Sequence, residues 1–443
     1  MATGTLDRVD FLGAATPRRA DGATLAVVFA VCILVIPARL VLKGLPLSLT
    51  PANLVALLVA LVWLCAQFTT TLGVAKGRSP VRTVLLCYVA GALATYGYAT
   101  YGYLPVDELN MADHAALLMV ASAGLALGVS DGVRGDRIDF LLKGVVLCGA
   151  FSALVGVLQF TVNFDLTQYL RLPGLRYFAD GEFVFSRSDL RRVGGTMGHP
   201  IEFGVVMAML VPIAAHYGLR AKERGEAPWL WFGSAGVIAM GLMFSVSRSA
   251  VLGLAAAGLV LFIGWPTRRR LRALGVVAGF LVLMKIITPG LLGTFYKLFA
   301  NAGNDDSVRW RTHDYDIAAT EIGRHLWLGH GFGTWYAPKF IVFDNQYILT
   351  VVEGGVLGIA AFAAVFLIGL YAAVRARYLS TDPTRRDLGL AIAASLVVPL
   401  IGSATFDLAA FKTAEGLSFL LIGAAGALLR TADAEVSPLP RPG

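Results

Sequence analysis

Arginine can hold a diphosphate without a metal, because its planar guanidinium grips two oxygens in one fork. Arg248 stands in Ser245-Val-Ser-Arg-Ser249, a turn of almost no length between two apolar runs. Set that close to a bilayer, an arginine must snorkel, find a partner or bind an anion. Arg309 and Arg311 fall in Ser307-Val-Arg-Trp-Arg311, and Arg192 opens Arg192-Val-Gly-Gly-Thr-Met-Gly-His-Pro200. The proton-handling candidates are carboxylates and imidazoles. Asp344 in Asp344-Asn-Gln-Tyr347 reads either as a helix N-cap or as a general base. Glu353 lies about two turns inside an apolar run, where a carboxylate is functional or paired with a nearby arginine. His199, before Pro200, and His330, in Gly329-His-Gly-Phe-Gly333, are further site candidates. His114 and His216 stand alone in or near apolar runs and read as structural. Asp314-Tyr-Asp316 has the form of a metal-binding acidic pair, but residues two apart on a helix point apart, so no metal is expected. The cysteines, Cys32, Cys65, Cys87 and Cys148, fall in apolar runs with no Cys-x-x-Cys pair. Neither a disulfide framework nor a metal knuckle is indicated.

The elements that position these residues are apolar. The chain has 443 residues, 57% hydrophobic and only 15% charged, with mean hydropathy +0.70. Soluble domains carry roughly 25% charged residues, so much of this surface faces lipid. Apolar runs fall at 22–42, 51–71, 82–101, 112–130, 138–160, 200–219, 228–246, 249–265, 272–290, 346–374, 388–409 and 414–430. One crossing needs about 20 residues, and only helices satisfy their own backbone in lipid. The expected fold is an all-α, polytopic membrane helix bundle of about 12 transmembrane helices with a large, partly helical periplasmic loop.

Charge supports the count. With the N-terminus inside, every cytoplasmic turn is basic: Lys76, Arg78 and Arg82; Arg134 and Arg137; Arg220, Lys222 and Arg224; Arg268, Arg269, Arg270 and Arg272; Arg375, Arg377, Arg385 and Arg386. The short outer loops are acidic or nearly neutral, with Asp107, Glu108 and Asp113 in one and Asp407, Lys412 and Glu415 in another. This sorting orients membrane proteins, and it accounts for the net charge of +8 without nucleic acid. Asp7, Arg8, Asp10, Arg18 and Arg19 leave no room for a removable signal peptide. The first span is expected to act as its own insertion signal.

The organisation follows: membrane helices 1–5 in 1–160, a first long outer loop in 161–199, helices 6–9 with the Ser-Arg turn in 200–290, a large outer loop in 291–345, helices 10–12 in 346–430, and a disordered tail in 431–443. Long loops are often functional. Within the second, residues 307–326 predict a helix with Arg309, His313, Asp316 and Thr320 on one face. The 49 glycines read mainly as contacts that let membrane helices approach closely.

Taken in order, these clusters resemble the O-antigen ligase and O-antigen polymerase superfamily of bacterial membrane glycosyltransferases. The likeness is concentrated in residues 190–360; the first half matches only in general hydropathy. Gly195-Thr-Met-Gly-His-Pro200 looks like the family segment entering its central span, and Ser247-Arg248-Ser249 like its Ser-Arg turn. Arg309, Arg311 and the Gly-His-Gly-Phe-Gly run fit its large periplasmic loop. Family ligases carry His-Asn, nine residues, then Gly-x-x-Gly. Here Asn345 is followed by nine residues and Gly355-Val-Leu-Gly358, with Asp344 in place of the histidine.

The resemblance implies a metal-independent, inverting, GT-C-like glycosyltransferase without cofactor. Its donor is a glycan on polyprenyl pyrophosphate, its acceptor a saccharide or lipid, and its site the outer face of the cytoplasmic (inner) membrane; the charge sorting puts both termini in the cytoplasm. Carried over by position, Arg248, Arg309 and Arg311 bind pyrophosphate, and Asp344 takes the acceptor proton. Arg192, His199, His330, Asn345 and Glu353 are expected to bind substrate. Aspartate for histidine points toward a polysaccharide polymerase; ligase-type transfer to a lipid or other acceptor is the alternative. A transporter or lipid-linked-oligosaccharide flippase is the alternative of another class. It should place charges midway along several spans, whereas these candidates gather at one face.

Overall fold

The computed structural model describes the backbone of residues 21–45, 48–69, 74–178, 184–187, 190–300 and 306–436, and the side chains of these except 184–187, 190 and 306–314. Fourteen α-helices run through the described residues. They are α1 Gly22–Leu34, α2 Pro51–Phe68, α3 Pro80–Tyr101, α4 Val106–Gly132, α5 Ile138–Thr161, α6 Pro200–Glu223, α7 Trp229–Phe244, α8 Arg248–Gly264, α9 Thr267–Ile287, α10 Leu291–Ala300, α11 Asp306–Arg324, α12 Gln346–Leu379, α13 Pro383–Gly402 and α14 Lys412–Val436. The starts are written locally. Thr50, Ser79, Ser247 and Asp382 cap their helices, and Pro51, Pro80, Pro200 and Pro383 occupy first-turn positions where a missing N–H does no harm.

Each of the apolar runs coincides with a helix, and the result is an all-α bundle. Among the described residues seven helices are long and apolar enough to cross a membrane, and the pair α9 and α10, bent by 110°, is an eighth if it forms one span. Helices α1, α7 and α8 are apolar but shorter. Helices α6 and α14 are the most enclosed of the spans. Helix α6 packs against α7, α8 and α13, and α14 against α4 and α12.

The basic turns meet at one end of the bundle. Arg82 pairs with Asp131 at 2.8 Å, Arg220 with Asp139 at 2.8 Å, Arg269 with Asp387 at 2.9 Å and Arg137 with Asp21 at 3.0 Å. His216 joins Asp387 at 2.8 Å, a structural histidine as its sequence position predicts. The candidate site residues lie at the opposite helix ends.

Three expectations are corrected. The first run does not stay helical to residue 42. Helix α1 ends at Leu34, just ahead of Pro37, which neither continues a helix nor lets its predecessor do so. Residues Leu40–Leu42 (β1) then pair antiparallel with Leu175–Tyr177 (β2). A second short pair, Val184–Arg187 (β3) with Leu190–Val193 (β4), lies in the same long loop. The tail expected to be disordered from 431 is helical to Val436, because Arg430 of α14 donates to the Ser130 and Val133 carbonyls; residues 437–443 lie outside the described residues. Third, α12 is not a continuous rod, and that break builds the site.

Candidate functional site

Helix α12 breaks at Gly355, whose φ of 58° and ψ of −155° are not helical. A broken helix orphans carbonyls before the break and N–H groups after it, which lipid cannot satisfy. The segment after α11 supplies four partners. The N–H groups of His330 and Gly331 donate to the Val352 and Glu353 carbonyls at 2.8 Å each. The Leu326 and Trp327 carbonyls accept from Val356 at 2.9 Å and Leu357 at 3.2 Å. Contact this close leaves no room for side chains: a Cβ on Gly329 would lie 2.3 Å from the Glu353 carbonyl carbon, and one on Gly355 would lie 2.4 Å from that of Trp327. The Gly-His-Gly-Phe-Gly run and the first glycine of Gly355-Val-Leu-Gly358 are therefore two halves of one joint.

Glu353 ends the short half-helix. Its carboxylate accepts from the Trp335 N–H at 3.2 Å and from the Gly333 N–H. It ties down the loop and forms no ion pair with an arginine among the described residues. His330 is half-buried, its Nδ1 is 2.7 Å from the Thr334 hydroxyl, and its ring packs edge-on against Trp335 and Phe340. Burial pushes its pKa down, which favours the neutral ring that this apolar setting requires.

At the start of α12 the two roles considered for Asp344 separate. Asn345 is the N-cap, accepting from the Tyr347 and Ile348 N–H groups at 2.9 and 3.3 Å. Asp344 stands one residue outside the cap, exposed. Its neighbours Val342, Phe343 and Gln346 line a cavity of about 430 Å³, with His114, Glu353, Asp407, Lys412 and Glu415 also on its walls. Asp407 belongs to the segment 403–411 between α13 and α14. Burial pushes its carboxyl up from the ordinary value, and the charge of nearby Asp344 pushes the same way, against the Ala409 and Ala410 N–H groups and Lys412. The cavity has the size usual for small-molecule sites, mostly apolar with a few convergent polar groups.

The same segment reaches the Ser-Arg turn. Gln346 donates its N–H to the Ser403 carbonyl at 2.8 Å, and its side chain accepts from Ala409 at 2.7 Å. Thr405 bonds Ser249 at 2.8 Å. Asp344 and Arg248 thus flank one short loop. The turn is strained: Val246, buried and β-branched, has φ of 47°. Such backbone persists where surrounding contacts over-determine it, often at functional sites. Arg192 supplies one of those contacts, donating to the Ser245 carbonyl at 3.1 Å. Arg248, the first residue of α8, donates to the Leu298 carbonyl of α10 at 3.3 Å.

His199 is the N-cap of α6, accepting from the Ile201 N–H at 3.1 Å and stacking on Phe411. Burial and nearby Arg192 lower its pKa to about 4, so the ring is neutral and able to accept. Arg309 and Arg311 lie on the backbone of α11; their side chains, with those of His313 and Asp314, lie outside the described residues.

Sequence reasoning passed over Asp407, Lys412 and Glu415, which entered only as loop charges, and His114, which was read as structural and lines the cavity. The available signal was position: each lies at or near a helix end, within a turn or two of an apolar run.

Residues 233–363 match the model of a family described as O-antigen ligase. The matched stretch takes in the Ser-Arg turn, α9 to α11, the Gly-His-Gly-Phe-Gly run, Asp344 and the broken part of α12, so the resemblance read from the sequence holds over this region. A search of curated proteins found no match.

Proposed function

From the O-antigen ligase match and the site at its centre, we propose a membrane-embedded inverting glycosyltransferase. It transfers an oligosaccharide from polyprenyl pyrophosphate to an acceptor sugar at the outer face of the cytoplasmic membrane, polymerising a surface polysaccharide. The observation that carries this reading is the joining of three separated motifs within the matched stretch. The Ser-Arg turn and the start of α12 meet at one short segment, 403–411, and the glycine loop joins α12 at its break.

The chemistry follows from the groups. An acceptor hydroxyl attacks the anomeric carbon as the bond to the diphosphate oxygen breaks. Asp344, exposed at the cavity rim, orients the hydroxyl and receives its proton late. Negative charge builds on the departing diphosphate, and Arg248 with Arg309 and Arg311 stabilises it, as fixed donors do in water-poor sites. Twelve crossings, a GT-C-like arrangement and cytoplasmic termini belong to the same proposal. The two larger cavities sit at the candidate end, and a smaller one of about 100 Å³ at the basic end shares no lining residue with them. That separation supports an enzyme over a flippase. Ligase-type transfer to a lipid acceptor is the second reading, favoured by the description of the matched family.

The test is incubation of the purified protein with a polyprenyl-pyrophosphate oligosaccharide. Polymerase activity gives a ladder, ligase activity a single adduct, and absence of any transfer rejects the reading. Arg248→Lys is expected to lower the transfer rate about a hundredfold, since lysine offers no bidentate fork; polyprenyl pyrophosphate release measures it, and an undiminished rate would remove Arg248 from the diphosphate site. Activity should persist in EDTA, and its loss there would return attention to Asp314 and Asp316 as metal ligands.

A further inference from the structure

A second cavity, of about 210 Å³, lies on the far side of Lys412 and Glu415 from the larger one. Leu118, Ala410, Lys412 and Glu415 line both cavities and form the partition, the last two as an ion pair with 3.7 Å between Lys412 Nζ and Glu415 Oε2. The smaller space is walled by α1, α2, α4, α6 and α14, all of which begin or end at the candidate end and lie outside the matched stretch. Its lining is polar for a helix bundle: Asn53, Ser122, Glu202, Lys412 and Glu415 come from four different helices. Polar groups in such a setting are held for a purpose. The Ser122 hydroxyl donates to Glu415. Glu202, 4% exposed, accepts from the Thr413 N–H at 2.7 Å and the Gly198 N–H at 3.3 Å, and fixes the start of α14 to the start of α6.

We propose that this smaller cavity is a sugar subsite for the acceptor glycan, a reading that rests on the glycosyl-transfer function above. Carboxylate, amide and hydroxyl groups set around a space sized for one ring are the donors and acceptors that sugar hydroxyls need. The diphosphate end is excluded by position, because Arg248 stands at the other end of segment 403–411, against α10. The larger cavity lies between them at the rim of Asp344. An acceptor chain spanning both cavities would present its terminal hydroxyl at Asp344 and anchor a neighbouring ring beyond Lys412 and Glu415. Two linked spaces suit a growing polysaccharide, which offers several rings.

Cys32 provides a reporter, since it lines this cavity, half-buried and with a free thiol. The full-length protein is prepared in nanodiscs with Cys65, Cys87 and Cys148 replaced by alanine, and Cys32 is modified with N-ethylmaleimide. The free repeat-unit oligosaccharide released from the donor is expected to slow this modification. Glycerophosphoethanolamine, a lipid headgroup, is expected not to. Asn53→Leu should weaken the protection and raise the acceptor KM about tenfold, the scale of one lost buried hydrogen bond, with Asn53→Gln restoring part of it. Unchanged Cys32 reactivity with saturating oligosaccharide overturns the proposal, as does protection by the headgroup alone or an unaltered KM in Asn53→Leu. Protection is read without turnover, so a protein that binds the oligosaccharide at Cys32 and never transfers it rejects the catalytic reading and leaves the subsite standing.

Discussion

Asp344→Asn is expected to cut glycosyl transfer by about 10²–10⁴-fold, the range a positioned general base contributes, while leaving the folded protein intact. The two halves of that expectation come from different observations. Loss of chemistry follows from the place of Asp344 at the cavity rim beside Asp407, with Val342, Phe343 and Gln346 of the wall on either side. Preserved folding follows from its exposure and from Asn345 holding the helix cap. Asparagine keeps the shape and an acceptor oxygen but takes no proton. The contrast is Asn345→Ala, which removes the cap and should lower stability by about 1 kcal/mol. Transfer rate and thermal unfolding in detergent separate the cases. A fully active Asp344→Asn protein would show that the acceptor proton leaves by another route.

Helices and their ends were legible because lipid enforces a simple rule: apolar stretches of sufficient length become helices, and basic residues mark one set of turns. Arg82, Arg220 and Arg269, singled out only as orienting charges, do gather at one end, each with an acidic partner. The end of α1 was misplaced because hydropathy continues through Leu40–Leu42 while Pro37 ends the helix. The site was legible as a set of motifs and illegible as an assembly. Nothing local says that Gly329 meets Glu353, or that Thr405 meets Ser249, since those pairs are fixed by packing between distant segments. Asp407 stayed hidden for the same reason. Its neighbours in sequence are unremarkable, and its meaning comes from Asp344, far away along the chain. The reading of the glycines as close helix contacts holds for many, Gly124 against Ala60 and Gly149 against Leu210 among them. Small residues in a span suggest close helix packing, but Gly355 serves to let the chain leave the helix.

Gly355→Ala is therefore expected to be among the most damaging substitutions in the chain. Its φ and ψ fall in a region essentially reserved for glycine, worth about 1–3 kcal/mol for any other residue. The added Cβ would also meet the Trp327 carbonyl carbon at 2.4 Å and its oxygen at 2.5 Å. Those are backbone atoms that cannot rotate away, so the 326–331 segment must withdraw. With it go the hydrogen bonds to Val356 and Leu357, each worth about 0.5–1.5 kcal/mol. A combined loss of about 3–5 kcal/mol is a large part of the 5–15 kcal/mol that holds a typical protein together. Most of the bundle does not depend on this joint, so insertion should survive while the site end opens. Transfer should vanish, and proteolysis between Arg324 and Asp344 should accelerate. Gly354→Ala is the internal control, since a Cβ there meets nothing within 4 Å. A tolerated Gly354→Ala beside an inactive, protease-sensitive Gly355→Ala would tie activity to the break itself. If Gly355→Ala proved as stable and active as the parent, α12 could run straight through, and the joint between its halves and the glycine loop would have no part in catalysis.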